Sequence, residues 1–277
     1  MKVNLENISR FSLIARVLLF VLLLLLFWLP FAIPISLWFA KDPNLVAILT
    51  MSLLGLEFLL LLNLWSKFIY NIPNGFQYYG WEWTSSNLHN LLKGLSIGFL
   101  FCISLFIVES LFGWLDIKSD SSGNLAIVIV QGLFSALAVA FFEELFFRGW
   151  LLKELEKNYS QLSSLLVDSL IFATLHFIKP LAAVVKTFPQ FPALFLLGVI
   201  LVWAKRSSRD RLGLPMGIHA GLVWGYYILN VGQLLSYKPD VPDWLTGINH
   251  NPLSGVMGLL FLALLAQIMQ KKSKFPY

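Results

Sequence analysis

The residues of this chain best suited to chemistry are two adjacent glutamates and two histidines, all set in strongly apolar sequence. Glu143 and Glu144 belong to the stretch Phe-Phe-Glu-Glu-Leu-Phe-Phe-Arg-Gly, in which the arginine is Arg148. His176 ends the stretch Phe-Ala-Thr-Leu-His, and His219 lies in Gly-Ile-His-Ala-Gly. Carboxylates and imidazoles can accept a proton from water near neutral pH. These residue types therefore indicate general acid–base chemistry on a water molecule.

The composition places these residues in a membrane protein. Of the 277 residues, 58% are hydrophobic and 13% are charged, and the mean hydropathy is +0.75. Soluble domains carry about 25% charged residues, so a water-soluble globular domain is excluded. The net charge of +5 comes from basic residues that lie between apolar segments, which argues against a nucleic-acid partner. The single cysteine, Cys102, excludes an intramolecular disulfide framework and multi-cysteine metal sites.

Apolar runs that could cross a bilayer predict the elements that position these residues. A spanning helix needs about 20 mainly apolar residues. About eight such runs predict an all-α, polytopic membrane helix bundle: Phe11–Phe39, Leu45–Trp65, Leu91–Leu115, Leu125–Trp150, Leu162–Ile178, Phe191–Ala204, Leu212–Asn230 and Leu253–Met269. The sixth run is short and is expected to borrow residues from Val184–Phe188.

The positions of lysine and arginine predict the orientation. With the N-terminus inside, fifteen basic residues, from Lys2 to Lys274, fall on the cytoplasmic side. The outer set comprises Lys41, Lys118, Lys179, Lys186 and Lys238. Because cytoplasmic loops carry an excess of basic residues, both termini are predicted to lie in the cytoplasm of a multi-pass cell-membrane protein.

Two connections between the runs are long. Ser66–Asn90 contains Trp81 and Trp83 with several other aromatic rings, and such rings favour the headgroup level. It is predicted to be an interfacial segment on the cytoplasmic face. Val231–Asn251 contains two prolines and is predicted to be a loop on the opposite face.

The cluster of Glu143, Glu144 and Arg148 needs partners inside a membrane. Each charge near the bilayer centre costs about 2.5–3.5 kcal/mol. Glu144 and Arg148 are four residues apart and can pair, whereas Glu143 lies about 100° further round the helix. Asp168 is expected to be a second partner for Arg148. Two interpretations of Glu143 remain. Either Glu144 and Arg148 form a structural ion pair and Glu143 faces a water-filled cavity, or Glu143 acts as a general base.

Helical geometry predicts that three of these side chains share one layer. If the fourth and fifth runs form a hairpin that turns at residues 158–160, Glu143 and His176 both lie about 25 Å from the turn. The charged stretch Lys153–Lys157 is expected to project into the cytoplasm. Below that surface Glu143 lies about 13 Å deep and His219 about 12 Å deep.

At these residues the sequence resembles the type II CAAX prenyl endopeptidase family, also called the CPBP or Abi family of intramembrane proteases. The family pattern is Glu-Glu-x-x-x-Arg, Phe-x-x-x-His and His-x-x-x-Asn on an eight-helix membrane bundle. This chain supplies the matching residues in the same order: Glu143, Glu144, Arg148, Phe172, His176 and His219. The resemblance covers roughly residues 125–230. Val223 replaces the final asparagine of the pattern.

The resemblance implies an endopeptidase that cleaves membrane-associated proteins or peptides, with prenylated CAAX-type substrates as one class. Glu143 and His176 would hold and deprotonate the attacking water, and His219 would polarise the carbonyl or stabilise its oxyanion. Supporting roles fall to Glu144, Arg148 and Phe172.

Two further expectations follow from the resemblance. Valine cannot hydrogen-bond, so Val223 would cost about 10²–10³ in rate if the family asparagine holds the oxyanion and no other group replaces it. Residues 1–120 would form N-terminal transmembrane helices and the interfacial segment, and residues 121–277 a CPBP-like protease core, within a single membrane domain.

The cofactor is left open by the sequence. Glu143, His176 and His219 are an acceptable zinc set, and family usage describes metalloproteases. The helical His-Glu-x-x-His of common zinc proteases is absent. A metal-free glutamate mechanism would use the same three residues.

A non-catalytic interpretation is the alternative. A bacteriocin-immunity or scaffold protein of the membrane could carry the same charges as structural groups. A proton-coupled transporter could use the glutamates and histidines as a relay. The inverted halves typical of transporters are not evident in the sequence.

Overall fold

The computed structural model describes residues 5–118 and 124–274. Lys2 and the proposed boundary between residues 120 and 121 lie outside these ranges. The long helices are α1 (Leu13–Trp38), α2 (Pro43–Tyr70), α3 (Ser85–Leu111), α4 (Leu125–Glu156), α5 (Gln161–Leu175), α6 (Leu181–Ser207), α7 (Gly213–Val231) and α8 (Val256–Lys274). The predicted all-α membrane bundle is confirmed.

Six helices in the described ranges are long and apolar enough to cross a membrane: α1, α2, α3, α4, α6 and α8. α5 is apolar but has only 15 residues, and α7 has 19 residues that are mostly buried. The predicted number of eight spans is therefore not confirmed. α6 begins at Leu181, so the sixth predicted run does gain the residues from 184 to 188.

Side-chain caps fix where several of these helices begin. A serine, threonine, asparagine or aspartate precedes the first turn and accepts a backbone N–H, at Ser12, Asp42, Thr84, Asn124 and Ser160. The cap at Ser160 follows the turn between α4 and α5, close to the turn predicted at residues 158–160. This turn sets how deeply α4 and α5 place their polar residues.

α3 and α7 pack backbone against backbone through glycine. Gly213, Gly217 and Gly221 are spaced four apart along α7, and a Cβ on any of them would collide with a main-chain carbonyl of α3. Gly94 and Gly98 of α3 make the reciprocal contacts with the α7 backbone. Small residues at this spacing allow membrane helices to approach closely. The contact holds His219, between Gly217 and Gly221, at a fixed depth.

A buried polar network ties α1 to the turn between α4 and α5. Glu154 is 0% exposed and accepts hydrogen bonds from Arg16 Nε at 2.8 Å and Tyr70 Oη at 2.6 Å. Glu154 therefore packs inside the protein, because Arg16 draws it inward, and the cytoplasmic position of Lys153–Lys157 stays a prediction. Burial lowers the pKa of Lys157 to about 8, and the nearby Glu154 carboxylate opposes that shift.

The aromatic connection is shorter and more buried than predicted. α2 continues to Tyr70 and α3 begins at Ser85, so the connection covers residues 71–84 and contains a short helix, Gly75–Tyr78. Tyr79 is 0% exposed within the core, whereas Trp83 is 89% exposed. Only part of this segment is therefore free to lie at a membrane surface.

The opposite end of the bundle carries a small antiparallel ribbon. β1 (Leu115–Ile117) pairs with β2 (Leu235–Tyr237), and Leu115 lies opposite Tyr237. β2 and a short helix, Asp243–Thr246, fall within the predicted loop Val231–Asn251. The ribbon joins the ends of α3 and α7.

Candidate active site

Helix α4 changes its geometry at the glutamate pair. Glu143 and Glu144 end its α-helical part, Leu125–Glu144, and a π-helical segment, Leu145–Leu151, follows. Such segments are rare and frequently occur at functional sites. Arg148 lies within this segment and donates from Nη1 to Glu144 Oε1 at 3.1 Å, with both side chains fully buried. The predicted pairing of Glu144 with Arg148 is present.

Arg148 connects three helices around the site. Its Nε lies 3.5 Å from Asp168 Oδ2 on α5, and its Nη2 donates to the Gly198 carbonyl of α6 at 3.3 Å. Its guanidinium lies 4.2 Å from the centre of the Phe172 ring. Lys205 of α6, which is also buried, donates to the Arg148 carbonyl at 2.7 Å. The expected pair with Asp168 is confirmed, whereas the role of Lys205 was missed because the sequence places it near a helix end.

Glu144 also fixes His219. His219 Nδ1 lies 2.9 Å from Glu144 Oε1, and the His219 side chain is only 6% exposed. A carboxylate paired with arginine is an acceptor only, so Nδ1 carries the proton and donates. The remaining nitrogen, Nε2, lies 4.0 Å from Glu143 Oε2. The sequence motif assigned Glu144 a supporting role but did not identify His219 as the group it supports.

Glu143 is the less satisfied of the two glutamates. Its side chain is 32% exposed, and its Oε2 lies 4.0 Å from His219 Nε2. That Oε2 is buried and has no hydrogen-bond partner among the described residues. A separation of 4.0 Å is too long for a direct hydrogen bond, but a water molecule or a substrate atom can contact both groups.

His176 lies at the C-cap of α5 and turns one nitrogen toward its own helix. Its Nδ1 donates to the Phe172 carbonyl at 2.7 Å, since a carbonyl can only accept. This bond leaves Nε2 as the acceptor nitrogen of the neutral ring. The Phe172 ring centre lies 4.6 Å from that of His176 and 6.3 Å from that of His219. One fully buried phenylalanine ring thus contacts both imidazoles.

Two apolar cavities border the site, one lined by His219 and the other by Glu143. His219 and Val223 line a cavity of about 150 Å³ enclosed by α3, α6, α7, α8 and the segment before α8. Glu143 lines a larger cavity of about 560 Å³ between α1, α2 and α4. The candidate site therefore lies where polar groups from α4 and α7 meet next to apolar space.

The candidate zinc ligands are Glu143, His176 and His219. Within residues 5–118 and 124–274, no three His, Cys, Asp or Glu side chains are arranged to hold a metal ion. Each histidine uses Nδ1 in a hydrogen bond, His176 with the Phe172 carbonyl and His219 with Glu144, and such bonds are equally typical of histidines that bind a metal through the other nitrogen. By their arrangement alone, Glu143, His176 and His219 do not form a ready-made metal site among the described residues.

Comparison with known proteins gives one match, to a family model. Residues 124–225 match the family model described as type II CAAX prenyl endopeptidase Rce1-like. The match begins at the N-cap of α4 and ends within α7, so it contains every motif residue named above. Neither a curated protein nor a solved structure matches the chain.

The chain is thus a multi-pass membrane protein, and its residues 124–225 are similar to the type II CAAX prenyl endopeptidase family. This match confirms the family resemblance predicted from the motifs.

Proposed function

We propose that this protein is an intramembrane endopeptidase in which Glu143, His176 and His219 act on one water molecule and one peptide bond. Its substrates are membrane-associated proteins or peptides, and prenylated CAAX-type chains are one class to test. The observation that carries the proposal is the 4.0 Å separation between Glu143 Oε2 and His219 Nε2, next to two apolar cavities.

The proposed reaction gives each group one role. Glu143 accepts one proton of a water molecule as its oxygen attacks the carbonyl carbon, and His176 Nε2 holds that water by accepting a hydrogen bond from its other O–H. His219 faces the oxygen that becomes negative, and it stabilises that charge through Nε2–H when its ring carries both protons. The proton then passes to the amide nitrogen, the C–N bond breaks, and water has supplied OH to one product and H to the other.

Glu144 and Arg148 act as positioning residues in this scheme. Glu144 holds Nδ1 of His219, and Arg148 holds Glu144 while it anchors α4 against α5 and α6. Preorganised groups stabilise a developing charge better than groups that must reorient. Val223 contributes no donor, so His219 carries the oxyanion role without the family's asparagine.

The placement in the membrane is part of the proposal. We assign residues 1–120 to N-terminal transmembrane helices and a connecting segment, and residues 121–277 to the protease core. The turn between α4 and α5 and both termini are assigned to the cytoplasmic side of the cell membrane, in agreement with the basic residues.

Two alanine substitutions test the function directly. Glu143→Ala and His176→Ala are each expected to make uncleaved membrane substrate accumulate, which a comparison of membrane-protein termini by mass spectrometry would detect. Glu156→Ala, at a partly exposed ion pair, and His89→Ala, on an exposed part of α3, are the matched controls. Normal processing in both test variants would contradict the proposal and favour a non-catalytic membrane protein.

A further inference from the structure

The carbonyl of Arg148 lies where α4 changes its hydrogen-bond pattern. In an α-helix each N–H donates to the carbonyl four residues back, so Leu152 would donate to Arg148. The Leu152 N–H instead donates to the Phe147 carbonyl, five residues back, at the end of the π-helical segment Leu145–Leu151. The Arg148 carbonyl therefore does not receive the backbone donor that a regular α-helix would supply.

A buried lysine supplies a donor in its place. Lys205 Nζ of α6 donates to the Arg148 carbonyl at 2.7 Å, and both residues are 0% exposed. The carboxylates of Asp168 and Glu156 form their ion pairs with arginines rather than with Lys205. A buried ammonium needs a hydrogen-bond partner. The direct partner of this one, among the described residues, is a main-chain carbonyl and not a counter-ion.

One face of α6 holds Arg148 at two points. Gly198 and Lys205 are seven residues apart, about two helical turns, so they lie on the same face. The Gly198 carbonyl accepts a hydrogen bond from Arg148 Nη2 at 3.3 Å, while Lys205 donates to the Arg148 backbone. A Cβ on Gly198 would lie 2.8 Å from Ser169 Cβ, so this glycine also allows α5 to approach α6 closely. Both the guanidinium and the backbone of Arg148 are thus fixed relative to α6.

The orientation of Arg148 reaches the candidate active site through Glu144. Arg148 Nη1 donates to Glu144 Oε1, and the same oxygen accepts from His219 Nδ1. Without Lys205, the buried Arg148 carbonyl would be satisfied if the Leu152 N–H returned to it and α-helical bonding replaced the π-helical segment. Because the two helix types differ in residues per turn, Glu144 would then rotate relative to Leu152 and move away from His219.

We propose that Lys205 is a positioning residue of the candidate active site. Its hydrogen bond to the Arg148 carbonyl maintains the π-helical segment, and that geometry aligns Glu144 with His219. The inference rests on the proposed endopeptidase function, in which His219 stabilises the oxyanion. Lys205 is not among the residues that line the two cavities, so its loss should affect the chemical step more than substrate binding.

Substitutions at Lys205 test this role through kcat and KM for a peptide that the natural protein cleaves. Lys205→Met keeps the length of the side chain but removes the donor, and it is expected to lower kcat about 10-fold or more with KM within about twofold. Lys205→Arg keeps N–H donors and the charge and should recover most of kcat. Lys186→Met, the same change at an exposed position of α6, is the matched control and should leave both constants unchanged.

A second substitution separates the hydrogen bond from the charge. Asp168→Asn combined with Lys205→Met removes one negative charge along with the positive one, but it does not restore a donor to the Arg148 carbonyl. The double variant should therefore be no more active than Lys205→Met. Recovery of kcat would assign the role of Lys205 to charge balance and would overturn the proposal.

The structure of Lys205→Met provides a readout that does not depend on hydrolysis. The Leu152 N–H is expected to donate to the Arg148 carbonyl, and the contact between Glu144 Oε1 and His219 Nδ1 should be broken. Lys205→Gln serves the same purpose if Lys205→Met does not fold, since its amide is one atom shorter and does not reach the carbonyl. Failure of both variants to fold, with Lys205→Arg folded, would show that Lys205 only supports the fold and would overturn the proposal.

The remaining outcomes separate the two proposals. Normal kcat in Lys205→Met, or a loss just as large in Lys205→Arg, would overturn the positioning role. An unchanged contact between Glu144 and His219 in the variant structure would do the same. If the natural protein cleaves no peptide but the variant structure shows the expected rearrangement, the endopeptidase function is overturned, while the control of Glu144 and His219 by Lys205 is supported.

Discussion

The Glu144 carboxylate accepts a hydrogen bond from His219 Nδ1 at 2.9 Å while its Oε1 also accepts one from Arg148 at 3.1 Å. Glu144 therefore joins the ion pair of α4 to the imidazole of α7, 75 residues away in sequence. The second glutamate of the motif sets the tautomer and orientation of His219, while the first one, Glu143, faces the space where chemistry would occur.

Replacement of Glu144 by glutamine tests this positioning role. The amide keeps the size of the side chain but loses the charge and can present N–H₂ to His219. We expect kcat to fall by about 10²–10³ with little change in KM, because a donor–acceptor mismatch disturbs the oxyanion site. Glu156→Gln, at a partly exposed pair with Arg206, should leave kcat unchanged. If KM instead rises by a similar factor while kcat stays normal, Glu144 has a role in substrate binding.

Removal of Arg148 should destabilise the protein more than removal of a surface arginine. Arg148→Ala leaves the fully buried Glu144 and Asp168 without their cation, and breaking a buried pair costs about 3–5 kcal/mol. Arg206→Ala breaks a partly exposed pair, which is worth about 0–1 kcal/mol. Denaturant unfolding in detergent measures both. Equal stability losses would show that the Arg148 network contributes no more than a surface pair.

Glu109 of α3 should tolerate loss of its charge. It is 0% exposed, and neither carboxylate oxygen has a hydrogen-bond partner among the described residues. A buried carboxylate without a partner is costly to ionise. Glu109→Gln is therefore expected to keep or raise thermal stability, as measured by unfolding in detergent. A marked loss of stability would reveal a partner that requires the negative charge.

Removal of metal ions is expected to leave hydrolysis unchanged. The described residues do not present a ready-made set of three ligands, and the proposed proton transfers use side chains alone. The measurement is the rate of peptide cleavage by purified protein after exhaustive chelation, together with its zinc content. Loss of activity that zinc restores would assign Glu143, His176 and His219 to a metal site formed on substrate or metal binding.

The sequence predicted the membrane bundle because a long apolar run in a bilayer satisfies its backbone hydrogen bonds by forming an α-helix. It also predicted the pairs of Arg148 with Glu144 and Asp168, since helical rise and spacing determine which residues are level. It did not predict the burial of Glu154, because Arg16 reaches it across 138 residues of sequence. The contact of Glu144 with His219 was missed for the same reason: it depends on how α4 and α7 pack.

The most direct test of the central claim is a double-mutant cycle on kcat with Glu143→Gln and His176→Gln. If both side chains act on the same water molecule, each single substitution should lower kcat by about 10²–10⁴, and the double variant should be little worse than the poorer single one. Normal kcat in either single variant, or losses that multiply in the double variant, would contradict a shared water at this site.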